Sequence, residues 1–423
     1  MPARSPIDDC VHCGFCLPVC PTWISWNEEM DSPRGRIDLA RGLRDGRFSM
    51  TSEVAEHFDR CLGCMACVPA CPSGVRYGVV LAEVRDQVEA AALRPLGERL
   101  RRALIFGLFP YPARLRALVV LLLVYSRTGL QWLLRHTVLR LFPRLARLEG
   151  LLPPVSFSQL SAAVPERTPA AGAPRARVGL LLGCVQRVFF PGVNAATARV
   201  LAAEGCEVVA PALQGCCGAL SAHSGRSEEA RQLTRQIIAT FEAAGVETVL
   251  VNAAGCGSHL KELEHLFAGD AEWRPRAAAF SRKVQDVTEF LAALPSRATR
   301  HRMEKRVAYH SPCHHGHAQG IREQPKALLA SIPGIELVDL PDGEQCCGSA
   351  GVYNLVQTAS AEQIGNRKVE AVLSVKPQLL ASGNPGCTLQ IQRLLQERGL
   401  KLPAAHPIEI LDASIAGRAD PGS

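Results

Sequence analysis

No stretch of eighteen apolar residues occurs in this 423-residue chain, and the longest apolar run, Ala117 to Tyr125, is far too short to cross a bilayer. Met1 to Asp9 lacks the apolar region of a secretory signal and has no twin arginine, so nothing there directs export. The expected location is cytoplasmic, either soluble or peripheral on the inner face of the cell membrane. In that reducing compartment the 17 cysteines do not read as a disulfide framework; patterned cysteines read as metal ligands. Aromatic residues make up 5% of the chain and do not interleave with its arginines, which argues against a nucleic-acid surface. No strand is followed by G-x-G-x-x-G and a helix, and Gly348 to Gly351 alone is too weak a signal, so no flavin or nicotinamide site is visible. H-E-x-x-H is missing as well.

What the chain does have is sulfur in two combs. Cys10, Cys13, Cys16 and Cys20 precede Pro21, and Cys61, Cys64, Cys67 and Cys71 precede Pro72. Each comb has the C-x2-C-x2-C-x3-C-P spacing, in which three close thiolates wrap one 4Fe-4S cube and the fourth serves the other cluster. A structural zinc site usually closes with two separated knuckles, so four cysteines in one short run favour a cluster over zinc. The expected sets are Cys10, Cys13, Cys16 with Cys71, and Cys61, Cys64, Cys67 with Cys20. A chain of one-electron centres without a hydride acceptor of its own must receive electrons from elsewhere.

Between the combs, Ile37 to Leu43 and Ser52 to Phe58 read as helices, and Gly78 to Leu93 follows as another. Residues 1–92 are therefore expected to form an α-helical ferredoxin domain with two clusters. Leu93 to Arg147 holds eleven arginines against one acidic residue, Glu98, while the remainder of the chain is mildly acidic. Apolar stretches such as Leu130 to Leu141 alternate with these arginines at helical spacing. That makes residues 93–176 a basic amphipathic segment suited to a membrane surface or an acidic partner, ending in a linker from Ser161 to Ala176.

The rest repeats itself. Cys184, Cys216, Cys217 and Cys256 recur as Cys313, Cys346, Cys347 and Cys387 at offsets of 129 to 131 residues. Short apolar runs are expected as strands: Val178 to Leu182, Glu207 to Ala210 and Thr248 to Val251, then Arg306 to Tyr309, Glu336 to Asp339 and Gln378 to Ala381. They alternate with helices, among them Glu228 to Ala244, capped by Ser227, and its counterpart Val352 to Ser374. The expected architecture is an α/β domain of two pseudo-symmetric Cys-Cys-Gly repeats, residues 177–300 and 301–423. Its cysteine loops should converge at the strand ends. Each copy offers four thiolates, the number a cluster needs, so at least one copy is expected to hold an additional cluster. The second is favoured, because His310, His314, His315 and His317 crowd around Cys313 as hydrogen-bonding neighbours of the cluster sulfurs. Lys261 and Arg367 are candidates to offset cluster charge. Cys206, unmatched in the second copy, is expected to be structural and to lie in a helix-to-strand turn.

These residues resemble a known family, the iron-sulfur subunit of bacterial glycolate oxidase. The likeness runs from Cys10 to about Ile415 and rests on Cys13-Gly14-Phe15-Cys16, Ser32-Pro33-Arg34-Gly35-Arg36-Ile37, Gly183-Cys184-Val185-Gln186, Gln214-Gly215-Cys216-Cys217-Gly218-Ala219, Ala254-Gly255-Cys256-Gly257, Cys346-Cys347-Gly348-Ser349-Ala350-Gly351 and Asn384-Pro385-Gly386-Cys387. The resemblance implies a complex in which FAD-linked oxidase subunits oxidise glycolate, or similarly D-lactate, and this subunit carries electrons toward membrane quinone. Anaerobic glycerol-3-phosphate dehydrogenase has an iron-sulfur subunit of the same architecture, so the alternatives are a glycerol-3-phosphate or lactate dehydrogenase complex, or a heterodisulfide-reductase-like catalytic subunit acting on a thiol or disulfide. Heterodisulfide reductases, which act on thiols or disulfides, share the Cys-Cys-Gly module with a further cysteine three residues on. Here those positions are His259 and Gln390.

Overall fold

The computed structural model describes residues 5–142, 149, 155, 157, 163–341 and 343–421. Arg144, Arg147 and Ser161, which belong to the expected basic segment and linker, lie outside them. Helices of the N-terminal domain start where the sequence supplies caps. The Ser32 side chain accepts a hydrogen bond from Gly35 N at 3.0 Å, Pro33 takes the first helical position, and the helix Pro33–Arg44 follows. It packs with Ser52–Asp59 and Tyr77–Ala90 around Ile37, Phe58, Val80 and Val84. Beneath them Arg36, 1% exposed, pairs with the fully buried Asp31 at 3.2 Å, and His57 and Arg60 complete the carboxylate's partners.

Four helices follow: Leu96–Leu108, Pro112–Arg127, Leu130–His136 and Val138–Leu141. The expected single stretch from Leu130 to Leu141 is interrupted at Thr137, whose φ of −120° and ψ of −92° are not helical. Among the described residues no single helix is long and apolar enough to cross a membrane, and the first two of these helices meet at a bend of 105°.

The remainder folds as two α/β units with matching sheets. In the first, β1 (Arg167–Thr168), β2 (Ala176–Leu181), β3 (Cys206–Val209), β4 (Thr248–Val251) and β5 (Val284–Asp286) run in the order β1-β3-β2-β4-β5. In the second, β6 (Lys305–His310), β7 (Ile335–Asp339), β8 (Leu379–Ser382) and β9 (Ala404–Ala405) run β7-β6-β8-β9. Every pairing is parallel except that of β1 with β3. Without β1 the two orders are the same, so the duplicated cysteines sit on a duplicated fold. The expected linker contributes β1 as an edge strand, and Cys206 opens β3 instead of lying in a turn; it is buried in the core.

One apolar core serves both units, with Val178, Leu201 and Leu250 from the first packed alongside Val307, Leu329 and Ile408 from the second. The expected helix Val352 to Ser374 is two, Tyr353–Val356 and Thr358–Ser374, broken at Gln357. Ser227 is the first residue of its helix, not the cap. Its N–H and hydroxyl both donate to Asp86 of the N-terminal domain, at 3.4 and 2.8 Å.

The last strand of each unit leads into a helix through a capping box, Asp286 with Glu289 and His406 with Glu409. Asp286 also bonds His315 Nε2 across the units at 2.9 Å, both side chains being 1% exposed. Burial alone would raise the Asp286 pKa, but the charge and hydrogen bond of His315 and the Thr288 donors outweigh it and hold it at about 2. The folded value lies below the unfolded one, so the stabilisation is complete above about pH 4 and is lost as the pH falls toward 2. Asp286→Asn should therefore cost about 2 kcal/mol at neutral pH. The difference in urea midpoint between wild type and variant should be flat from pH 8 to 5 and shrink below about 4. A difference that grows on acidification would refute the assignment.

Candidate metal centre

Each comb loop is turned by left-handed residues at its third and fifth positions. In the first comb these are His12, with φ 55°, and Gly14, with φ 86°; in the second they are Gly63, with φ 63°, and Met65, with φ 61°. A non-glycine residue in this region costs roughly 1–2 kcal/mol, so each loop carries one strained residue at the position where the other has glycine. The loops fold around two hollows. One is lined by Cys10, Cys13, Cys16, Cys67 and Cys71; the other by Cys20, Cys61, Cys64 and Cys67. The first thus gathers three sulfurs of the first comb with two of the second, and the other three of the second comb with one of the first, soft donor sets that suit iron-sulfur clusters.

The two hollows differ in exposure. Cys13 is exposed and is flanked by Val11, 68% exposed, and Phe15, 64% exposed, whereas Cys20, Cys61 and Cys67 are buried. Burial pushes the Cys16 thiol up to about 11. Burial would also raise Cys61, but the guanidinium charges of Arg36 and Arg85 outweigh it and hold its pKa below the ordinary value.

In the α/β domain all eight paired cysteines lie beyond the carboxyl ends of parallel strands. Cys184 and Cys313 follow β2 and β6, the Cys-Cys pairs follow β3 and β7, and Cys256 and Cys387 lie in the first turns of the helices Ala254–Lys261 and Pro385–Glu397. Gly218 and Gly348, with φ 91° and 83°, turn the chain after each pair; a Cβ there would stand 2.9 Å from Ala230 O and 2.5 Å from Ala361 O. In each unit the sulfurs form a chain of neighbours, Cys184 to Cys216 to Cys217 to Cys256 and Cys313 to Cys346 to Cys347 to Cys387. The third loops of the two units meet backbone to backbone, Ala254 N donating to Gly383 O at 3.2 Å.

The four histidines near Cys313 do four different things. His314 Nε2 lies 2.9 Å from Gly63 O of the second comb, His315 bonds Asp286, and His317 Nε2 lies 3.2 Å from Glu344 O. Only His310 turns to the sulfurs, its nearest ring nitrogen and the Cys347 and Cys387 sulfurs lying within 4.8 Å of one another, all three residues buried. Lys261 and Arg367 are engaged elsewhere, Lys261 with Glu289 at 2.6 Å and Arg367 with Ser25 and Ile24. The cation under the second set of cysteines is Lys368, 1% exposed, which donates to Gly343 O and whose charge acts on His310 and Cys313. It was not picked out from the sequence, where nothing separates it from a solvated helical lysine. His259 and Gln390 are hydrogen-bonded to Thr234 and to Ala361 O.

The second comb and the second unit share a packed cluster that contains Leu62, Cys64, Cys313, Cys346 and Tyr353. The negative charge of Cys313 is one reason why the Cys64 thiol, already raised by burial, lies well above its ordinary pKa. The sulfur sets therefore run in sequence from the exposed hollow, to the buried one, to the second Cys-Cys-Gly quartet.

A 4Fe-4S dicluster domain matches residues 6–75, a cysteine-rich domain matches residues 178–261 and again 307–392, and the linker region of the glycolate oxidase iron-sulfur subunit matches residues 97–152. The chain is 39% identical over 411 residues to a probable glycolate oxidase iron-sulfur subunit of Bacillus subtilis, covering 95% of this chain and 93% of that relative. It is 36% identical over 422 residues to the glycolate oxidase iron-sulfur subunit of Escherichia coli K12, covering 98% and 95%. Lactate utilization protein A of a Geobacillus species is 32% identical over 238 residues, 56% of this chain and 99% of that protein. With this agreement running nearly end to end, and with the dicluster domain, linker and paired cysteine-rich units in the same order, the chain belongs to the glycolate oxidase iron-sulfur subunit family.

Proposed function

We propose that this chain is the electron-transfer subunit of a glycolate oxidase complex, accepting electrons from an FAD-linked subunit that oxidises glycolate to glyoxylate, or similarly D-lactate, and delivering them toward membrane quinone. The names of its relatives support the complex and the substrate class. The observation that carries the role of this chain is the succession of sulfur sets. Cys10, Cys13, Cys16 and Cys71 would hold one 4Fe-4S cluster, Cys61, Cys64, Cys67 and Cys20 a second, and Cys313, Cys346, Cys347 and Cys387 an additional one; Cys184, Cys216, Cys217 and Cys256 form the corresponding set in the first unit. Bound there, such clusters supply one-electron steps. The residues of the chain do the rest. Val11 and Phe15 present an apolar rim at the exposed hollow, where a flavoprotein can approach. Arg36 and Arg85 stabilise thiolate at Cys61. Leu62 and Tyr353 pack with Cys64 and Cys346 in one apolar cluster.

The helices of the basic segment support a membrane-facing role. Leu96, Leu100 and Leu104 are 79%, 72% and 62% exposed on one face of Leu96–Leu108, and Leu121, Trp132 and Leu141 are exposed on the helices after it. Arg99, Arg114, Arg116, Arg127 and Arg140 are exposed among them. This pattern fits the headgroup layer of an anionic bilayer, to which each nearby arginine adds about 1 kcal/mol.

Three outcomes test the proposal. The purified chain alone should not reduce dye with glycolate, and activity should appear when an FAD-linked partner is added; substrate-dependent reduction by this chain alone would overturn the assignment. Replacing Cys346 and Cys347 with Ser should lower the iron content and abolish quinone reduction by the complex. About eight irons, the content of two 4Fe-4S clusters, should remain, and the N-terminal clusters should stay visible by EPR. Unchanged iron and quinone reduction there and in the matching Cys216 and Cys217 variant would make these cysteines structural only. The chain should also sediment with anionic vesicles at low salt and be released as salt rises, and indifference to such vesicles would exclude the membrane face.

A further inference from the structure

Aligning the two repeats by strands β2 and β6 and by the helices Ser227–Ala243 and Thr358–Ser374 places His310 opposite Leu181 and Lys368 opposite Ile237. Both aliphatic residues of the first unit are buried in its core, behind its cysteines. The second unit therefore replaces two buried aliphatic side chains with a buried imidazole and a buried ammonium at the same structural positions. Such a substitution is costly unless the polar groups are used, since a buried nitrogen left without a partner forfeits its hydration for nothing. His310 is 0% exposed, and among the described residues neither of its ring nitrogens has a hydrogen-bond partner. It closes β6, and one of its ring nitrogens and the sulfurs of Cys347 and Cys387 lie within 4.8 Å of one another. Of the polar groups nearby, His315 Nε2 is engaged with Asp286 and Lys368 donates to Gly343 O.

We propose that His310 is a direct imidazole ligand to iron in the centre held by the second unit, joining Cys347 and Cys387 from the strand side. The inference rests on the reading that this unit binds a cluster, and it goes beyond it. With Cys313 and Cys346 the site offers five donors, one more than a four-cysteine cubane takes, so the imidazole can stand in for one thiolate. The first unit has Leu181 in the same place and so no imidazole at this position. A neutral nitrogen in place of a thiolate raises the reduction potential of an iron-sulfur centre. Mixed ligation would thus set the second unit's centre above an all-cysteine site in the same fold and make it the natural destination of electrons in the chain.

The test uses the full chain, prepared anaerobically with its iron, reduced, and labelled with 15N-histidine. Pulsed EPR of the second unit's signal, taken as the difference between wild type and the Cys346→Ser/Cys347→Ser variant, should show a strongly coupled nitrogen that changes isotope with the label. His310→Leu, which installs the residue of the first unit, should abolish that coupling. His310→Cys should also abolish it while keeping the iron, and should lower the potential of this centre relative to wild type. If the iron of the second unit is present and the nitrogen coupling is absent or survives His310→Leu, the ligand assignment is wrong. If wild type and the double-serine variant carry equal iron, the underlying reading fails instead.

Discussion

The position of the second comb against the second Cys-Cys-Gly unit is the contact on which the rest of the structure depends. Two α/β units could share a core without an N-terminal domain, and a dicluster domain could fold alone. What joins them into one device is the Leu62 to Cys64 segment, held by the hydrogen bond from His314 to Gly63 O and by the apolar cluster around Cys346 and Tyr353. Electron tunnelling needs proximity but no particular chemistry in between, so a rigid, dry contact suffices. Its rigidity comes from burial on both sides, since Leu62, Cys346 and Tyr353 are each less than 9% exposed.

That contact is braced from the other side of the domain by ion pairs. Glu89, on the helix Tyr77–Ala90, accepts from Arg94 at 2.6 Å, from Arg102 at 3.1 Å and from Arg226 of the first unit at 3.3 Å. Arg85 donates to His223 O at 2.7 Å, and Asp86 holds the start of the helix Ser227–Ala243. An isolated exposed pair contributes little, but several partly buried charges sharing one carboxylate fix geometry as well as energy. The N-terminal domain is thus clamped to the first unit by charge and to the second by apolar packing together with hydrogen bonds from His314 to Gly63 O and from Arg367 to Ser25 and Ile24 O.

Much of the α/β domain is legible in the chain itself. Six of its strands fall within two residues of the apolar runs; those at the centre of each sheet, such as β4 and β8, are buried and leave an unbroken apolar signature. The three that are not legible, Arg167–Thr168, Val284–Asp286 and Ala404–Ala405, are two or three residues long and have no room for periodicity. Ser227 looks like a cap, yet the cap comes from Asp86, 141 residues away, which no local pattern can reveal. The grouping of the comb cysteines follows from their spacing. The roles of the histidines around Cys313 do not, since they depend on Gly63, Asp286 and Glu344 arriving from elsewhere in the fold. His310 looks like one more member of a polar loop; it is the last residue of a strand, and that one-residue difference turns its ring toward the sulfurs instead of solvent.

The crossed arrangement of the two hollows has a consequence for biogenesis. Cys20 lies with the sulfurs of the second comb and Cys71 with those of the first. Neither set can be completed by a loop folding on its own as it leaves the ribosome, because each lacks a donor until the residues between the combs have packed. Maturation of either centre therefore waits on translation through Cys71 and on the helices that bring the two ends together. A truncated or misfolded N-terminal domain would present only incomplete three-sulfur sites, and iron delivery would in effect proofread the fold before electrons could enter it.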